Sequence, residues 1–221
     1  MITPQAILFD LDGTLIDTEL AAGEAVKKCL KLWGIDPSSI LEDARYLTGR
    51  KWEDAFQFLF KKYQIPVEEN VARKEILIQY QRETEENLFV VPGSVEAVQL
   101  LSEKFPLALV SGSFRSQILW ALKKLKIEDH FQFYLGAEDY PRSKPQPDGY
   151  LKAVQKLGVS ASNCLVFEDS VVGIASAKAA GLRVIAITCT NHFSQDLSQA
   201  DHQIPDFQKI SLDWITHLSF D

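Results

Sequence analysis

The chain has 221 residues, of which 46% are hydrophobic and 24% are charged, and it carries a formal net charge of −7. This composition is typical of a folded globular protein and excludes a disordered or low-complexity chain. The acidic balance and the lack of a lysine- or arginine-rich run argue against a nucleic-acid partner. No apolar run approaches the roughly 18 to 20 residues of a membrane span, so no membrane association is expected.

The three cysteines, Cys29, Cys164 and Cys189, are dispersed along the chain. Their spacing gives neither a disulfide framework nor a zinc site, and it fits a reducing compartment. The N-terminus enters a predicted strand within a few residues, which leaves no room for a signal peptide. We therefore expect a cytoplasmic protein, with a monomer as the default state.

Short apolar runs alternate with helical patterns along most of the chain. Strands are predicted over residues 6–9, 107–110, 131–135, 164–167 and 184–188. Hydrophobic residues recur every three or four positions between most of them, as do Leu151, Val154 and Leu157, which predicts a buried helical face. The alternation indicates an α/β fold with a doubly wound, Rossmann-like parallel sheet.

The interval from about 19 to 90 differs because it holds helical patterns and no convincing strand. Helices are predicted over residues 19–33, 51–63 and 67–87. The segment VVPGS at 90–94 marks the far boundary, because its Pro-Gly pair ends one helix and precedes the next. We expect a core domain of residues 1–17 and 91–221, with an all-helical cap domain of residues 18–90 inserted into it.

Polar and charged residues follow four predicted strands, at the edge where open α/β sheets bind ligands. They are Asp10 and Asp12 after the first strand, Ser111 and Gly112 after the second, Lys144 in the loop after the third, and Glu168 and Asp169 after the fourth. Carboxylates as close as Asp10 and Asp12 repel one another unless a cation or a proton neutralises them. Oxygen ligands without His or Cys favour Mg²⁺ over zinc. The pattern therefore predicts a magnesium site at this edge.

The loops around these residues carry two further expectations. Gly112 and Ser113 should leave backbone N–H groups open to an anion. Asp148 and Ser170 should cap the helices that follow them.

Four segments, DLDGTLIDT, VSGS, KPQPD and EDSVVGIASAKAAG, occur in this order along the chain. Together they resemble the motifs of the haloacid dehalogenase superfamily, and the insert after the first motif resembles its helical cap of the first type. The most similar subgroup is that of the β-phosphoglucomutase-like phosphatases. The resemblance spans nearly the whole chain. It implies a Mg²⁺-dependent phosphatase that hydrolyses a small phosphorylated metabolite, such as a sugar phosphate, through an aspartyl-phosphate.

The resemblance also implies a role for each residue at the strand ends. Asp10 would be the nucleophile, and Asp12 would protonate the leaving oxygen and then activate water. Ser111 and Lys144 would hold the transferring phosphoryl group, assisted by the N–H of Gly112. The implied Mg²⁺ ligands are Asp10, the backbone carbonyl of Asp12, Asp169 and, directly or in support, Glu168.

The segment LTGRKWED at 47–54 resembles the substrate-specificity loop of these enzymes. Gly49 allows a turn there, and Arg50 and Lys51 are candidates for contact with an anionic or hydroxylated substrate. A solvated loop with its tryptophan buried in the cap explains the segment equally well. Arg115, just after the second motif, either contacts a distal group of the substrate or lies on the surface.

Two other functions compete with the phosphatase. A phosphohexomutase of the β-phosphoglucomutase type would return the phosphoryl group to its bound intermediate. The cap histidine and arginine that distinguish it correspond here to Ala22 and Trp52. A non-catalytic binding protein on the same fold would have no physical reason to retain both Asp10 and Asp12. Dehalogenase activity is disfavoured because Asp12 occupies the acid position.

Overall fold

The computed structural model describes residues 4–40, 43 and 48–218, so Leu47 of the predicted specificity loop lies outside the described residues. The strands, in chain order, are β1 (Ala6–Phe9), β2 (Ile16–Asp17), β3 (Phe89–Val90), β4 (Leu107–Val110), β5 (Phe133–Leu135), β6 (Cys164–Glu168), β7 (Arg183–Ile187) and β8 (His202–Ile204). The helices are α1 (Glu19–Leu32), α2 (Trp52–Lys62), α3 (Glu69–Glu86), α4 (Ser94–Ser102), α5 (Arg115–Leu125), α6 (Asp148–Leu157), α7 (Val171–Ala179) and α8 (Leu212–Thr216).

Six strands form one parallel sheet in the order β5-β4-β1-β6-β7-β8. The central strand β1 alternates its side chains between the two faces, as strand geometry requires. Ile7 and Phe9 enter one buried hydrophobic cluster, whereas Ala6 and Leu8 enter the other. Because both faces are covered, the strand is apolar throughout. The predicted doubly wound parallel sheet is confirmed.

The edge strand β8 was not predicted. Its sequence His-Gln-Ile is short and only partly buried, so it gives no apolar run to detect. Strand β5 is also shorter than predicted and begins at Phe133 rather than at 131. Edge strands carry the weakest sequence signal because few of their residues face a core.

Helix α6 was predicted at the right place, and Val154 and Leu157 pack partly buried against the core as predicted, but Leu151 does not. Leu151 is 47% exposed, whereas Tyr150 and Ala153 are buried against the sheet. The prediction that Asp148 caps this helix is wrong, since Pro147 is the N-cap residue. The Asp148 carboxylate instead accepts two hydrogen bonds from the guanidinium of Arg142, at 2.8 and 3.0 Å.

Helices α1, α2 and α3 form the helical cap and pack around a hydrophobic cluster of their own. Its largest members include Leu30, Phe56 and Leu59. The expectation of no strand in this interval is wrong at its end, because β3 pairs antiparallel with β2. Strand β3 has only two residues, which are too few to show the alternating pattern that predicts a strand. None of the helices in the described ranges is long and apolar enough to cross a membrane.

Candidate active site

Three carboxylates meet where strands β1 and β6 end. Asp10 directly follows β1, Glu168 is the last residue of β6, and Asp169 comes next. One oxygen of each lies within 4.8 Å of the others, and all three side chains are buried. Burial raises the pKa of Asp10 and of Asp169 well above the usual value, and the neighbouring carboxylates add to the effect. This set of hard oxygen donors fits a divalent cation, which would neutralise the crowded charge.

The ammonium of Lys144 lies inside the same cluster. Its Nζ is 2.6 Å from Asp10 Oδ1 and 2.5 Å from Glu168 Oε1. Burial alone would lower the pKa of Lys144, but these two carboxylates raise it well above its usual value. The Tyr150 hydroxyl donates to the same Glu168 oxygen at 2.7 Å. Three carboxylates around one ammonium leave an excess of negative charge, and a cation would balance it.

The Asp12 side chain points away from this cluster and is held by hydroxyl groups. Thr18 donates to its Oδ1 at 2.6 Å, while Ser113 and Ser111 donate to its Oδ2 at 2.7 and 3.1 Å. The Tyr80 hydroxyl lies 3.4 Å from Oδ1. Asp12 is therefore fixed beside Asp10 with a different set of partners, which suits the two residues to different roles.

The loop after β4 closes on itself. The Ser111 Oγ accepts a hydrogen bond from the Ser113 N–H at 2.9 Å, so the expectation that this N–H is open to an anion is wrong. Gly112 lies under the cap, because a Cβ there would be 2.6 Å from the Arg50 carbonyl oxygen. Only glycine permits this approach without displacing the cap loop. The expectation that Ser170 caps the next helix is confirmed, since its Oγ accepts from a backbone N–H at 3.1 Å.

A cavity of about 90 Å³ lies between the strand ends and helices α1 and α2. Of the predicted site residues, five line it: Asp10, Asp12, Gly49, Arg50 and Gly112. Ser111 and Lys144 do not line it, but they are hydrogen-bonded to Asp12 and Asp10, which do. Glu168 and Asp169 each have an oxygen within 4.8 Å of an Asp10 oxygen. The sheet edge thus supplies the reactive groups, and the cap supplies the opposite wall.

Two predicted substrate residues do not line this cavity. Lys51 turns toward the core, where its Nζ donates to the carbonyls of Ala137 and Tyr140 at 2.7 and 2.5 Å. The same Nζ lies 4.0 Å from the centroid of the Tyr140 ring, and burial lowers the pKa of Lys51. Arg115 is exposed and pairs with Asp139 at 3.0 Å. Lys51 therefore joins the cap to the core, and Arg115 belongs to the surface.

Sequence reasoning missed several residues that the fold brings to the site. These are Thr18, Glu19, Tyr80 and Phe193. Glu19 directly follows the first motif, and this position could have indicated a place near the site. The sequence pattern, however, only identified it as the start of a helix. Burial raises the pKa of Glu19 to about 8. Phe193 lies in a loop far along the chain, and nothing in its local sequence indicates a role.

The sequence matches the haloacid dehalogenase-like hydrolase family over residues 7–187. The chain belongs to this family. Hexitol phosphatase B of Escherichia coli (strain K12) is 34% identical over 197 residues, which cover 85% of this chain and 86% of that protein. Validoxylamine A 7'-phosphate phosphatase of Streptomyces hygroscopicus subsp. limoneus is 32% identical over 206 residues, covering 92% and 94% of the two chains.

Solved structures of the family have the same fold. The crystal structure of β-phosphoglucomutase from Clostridium difficile superposes with a TM-score of 0.79 at 24% identity, covering 97% of this chain and 96% of that one. The predicted membership of the haloacid dehalogenase superfamily is confirmed, and so is the predicted fold with its helical cap. The predicted enzyme class, a phosphoric monoester hydrolase, is confirmed as well.

Proposed function

We propose that the protein is a Mg²⁺-dependent phosphatase that hydrolyses a small sugar or polyol phosphate through an aspartyl-phosphate. The observation that carries this proposal is the buried carboxylate cluster at the floor of a cavity that the cap covers. The hexitol phosphatase among the relatives supports the substrate class. The relative that acts on validoxylamine A 7'-phosphate supports it too, since both names describe phosphate esters.

The metal would be held by Asp10, Glu168 and Asp169, with the backbone carbonyl of Asp12 as a further oxygen ligand. The buried oxygens within 4.8 Å of one another support the three side chains as a set. Mg²⁺ supplies the positive charge that lets an anionic phosphate approach a carboxylate. Lys144 already balances part of that charge from below, through its contacts with Asp10 and Glu168.

The reaction would proceed in two displacements at phosphorus. A carboxylate oxygen of Asp10 forms a bond to phosphorus while the ester P–O bond breaks, and Asp12 donates a proton to the leaving oxygen. Asp12 then takes a proton from a water whose oxygen attacks the aspartyl-phosphate, which releases inorganic phosphate and restores Asp10. The hydroxyls that fix Asp12 support this division, because a proton-transfer group must hold its position through both steps.

The phosphoryl group would be held by the Ser111 hydroxyl and the Gly112 N–H, with Lys144 contributing its charge. Phosphoryl transfer depends mainly on positioning and electrostatics, and the buried hydroxyls and ammonium can supply both. Gly49 and Arg50 would contact the leaving group, since both line the cavity on the cap side. We leave Lys51 and Arg115 out of this set, because Lys51 donates to two core carbonyls and Arg115 is exposed and paired with Asp139.

The mutase alternative is disfavoured by the cavity wall. Ala22 and Trp52 both line it. A methyl group and an indole therefore occupy the positions where the mutase carries the histidine and the arginine that distinguish it.

We also propose the division into a core of residues 1–17 and 91–221 and a cap of residues 18–90. The paired strands β2 and β3 support these boundaries, because they place side by side the two points at which the chain passes between core and cap. Cytoplasmic location, a monomeric state and the lack of nucleic-acid or membrane partners stay predictions from the sequence.

The test is phosphate release from a panel of sugar, polyol and small-metabolite phosphates, with Mg²⁺ and with a chelator. Asp10→Asn should abolish metal-dependent release, and Asp36→Asn, which changes an exposed carboxylate, should not. If the wild type releases no phosphate from any compound, the phosphatase proposal fails. Interconversion of hexose phosphates with a bisphosphate primer would then support the mutase.

A further inference from the structure

Glu19 places an unpartnered carboxyl oxygen beside the cavity. It is the first residue of α1 and lines the cavity together with Asp10 and Asp12. The hydroxyl of Thr48 is hydrogen-bonded to the Glu19 carboxyl and orients it. The Oε2 atom is buried and has no hydrogen-bond partner among the residues that the structure describes. A buried polar atom without a partner costs about 1–3 kcal/mol, so its persistence beside a ligand cavity calls for an explanation.

The charges around Glu19 restrict which groups can form a hydrogen bond with its Oε2 atom. The carboxylates of Asp17, Asp12 and Asp10 all act on it electrostatically, so a phosphate oxygen would be repelled. Glu19 is also not part of the carboxylate set that could hold a metal ion in the described part of the chain. The remaining partner is a neutral hydroxyl group, which can pair with the carboxyl in either protonation state and which a sugar or polyol phosphate carries.

The rest of the cavity wall suits the carbon skeleton of such a compound. Val26, Ile40, Trp52 and Ala55 line it on the cap side, and they offer apolar surface. The other polar side chains of the lining include Thr18, Thr48, Arg50 and Tyr80, so a hydroxyl that pairs with Glu19 is held between polar groups and an apolar wall.

We propose that the Glu19 carboxyl forms a hydrogen bond with a hydroxyl of the leaving group near the phosphoester, and that it thereby selects hydroxylated phosphates over plain alkyl phosphates. This inference rests on the proposed function and names the feature of the substrate that the same site recognises. A site with a polar group built to pair with a hydroxyl rejects the analogue that lacks it, because the polar group is then left buried and unpaired.

The experiment compares glucitol 6-phosphate with n-hexyl phosphate as substrates of the wild type and of Glu19→Ala. The expected result is a loss of about 10- to 100-fold in kcat/KM on glucitol 6-phosphate, with little change on n-hexyl phosphate. Glu24→Gln, which alters a half-exposed carboxylate of the same helix that pairs with Lys27, should change neither value. The Mg²⁺ concentration for half-maximal activity should be the same in all three proteins.

Two results would overturn the inference while leaving the phosphatase intact. An equal loss on both substrates would make Glu19 a general part of the reaction, and a shifted Mg²⁺ requirement would make it part of the metal site. If the wild type hydrolyses neither compound, the polyol substrate class fails, and the role of Glu19 fails with it. Should Glu19→Ala not fold, Thr48→Val removes the orienting hydroxyl and must show the same substrate-selective loss.

Discussion

Replacing Lys51 by methionine should weaken the closure of the cap over the site. The lysine ammonium donates to two core carbonyls at 2.7 and 2.5 Å, and methionine keeps most of its length and apolar packing while removing both bonds. A hydrogen bond to a charged group contributes about 1.5–3 kcal/mol, and the cost of burying the ammonium offsets part of that sum. Burial lowers the pKa of Lys51, in the direction expected from that cost.

A net loss of about 2–3 kcal/mol would reduce the ratio of closed to open enzyme by roughly 30- to 150-fold, since 1.4 kcal/mol corresponds to a factor of ten. If closure is required for reaction, kcat/KM on a sugar or polyol phosphate should fall toward that factor. Amide hydrogen exchange in residues 137–143 should rise in parallel, because this segment loses two hydrogen bonds that hold it to the cap. Lys61→Met is the matched control, since Lys61 is an exposed lysine of the same cap.

The reasoning is refuted if Lys51→Met and Lys61→Met have the same kcat/KM and the same exchange in residues 137–143. It is also refuted if Lys51→Met lowers kcat/KM without any change in exchange, because the lysine would then act on the substrate and not on closure.

Three further outcomes are expected. Gly13→Ala should abolish Mg²⁺-dependent activity, because the new Cβ would lie 2.0 Å from Asp169 Oδ2. Gly158→Ala is the control, since Gly158 also has a positive φ but its Cβ would have nothing within 4 Å; it should cost only about 1 kcal/mol of unfolding free energy. Lys144→Met should lower the unfolding free energy in urea by about 3–5 kcal/mol, since Asp10 and Glu168 both lose their buried ammonium partner; a change within the error of the wild type would contradict this. Without Mg²⁺, the melting temperature should decrease as the pH is raised from about 5 to about 8. The raised pKa of Glu19 favours its protonated form in the folded state, so stability is lost as the pH rises through that pKa. Glu19→Gln should flatten this slope.

The strand-end residues could be predicted because parallel sheets impose their convergence. Once β1, β4 and β6 are recognised as parallel neighbours, Asp10, Ser111 and Asp169 must meet at one edge, whatever the loops do. Their chemistry then follows from the residue types. A buried apolar run and a polar residue at its end are local signals, and a single sequence contains both.

The cap side could not be predicted in the same way. Arg50 and Lys51 are consecutive basic residues, yet one lines the cavity and the other reaches two carbonyls of the core. Which of them faces the substrate depends on how the loop packs against the core, and that contact joins segments about 90 positions apart. Glu19 was missed for a related reason, because its unpaired oxygen is visible only once its neighbours are placed.

The paired strands β2 and β3 have a mechanical consequence. The polypeptide passes between core and cap twice, and the two passages are hydrogen-bonded side by side, with Ile16 opposite Val90 and Asp17 opposite Phe89. Two independent tethers would let the cap twist and slide, whereas a ribbon of two bonded strands bends most easily about one axis. The cap should therefore move mainly by a hinge rotation about one axis. Thr18 and Glu19 directly follow the ribbon, so this rotation would move them toward or away from Asp10 and Asp12.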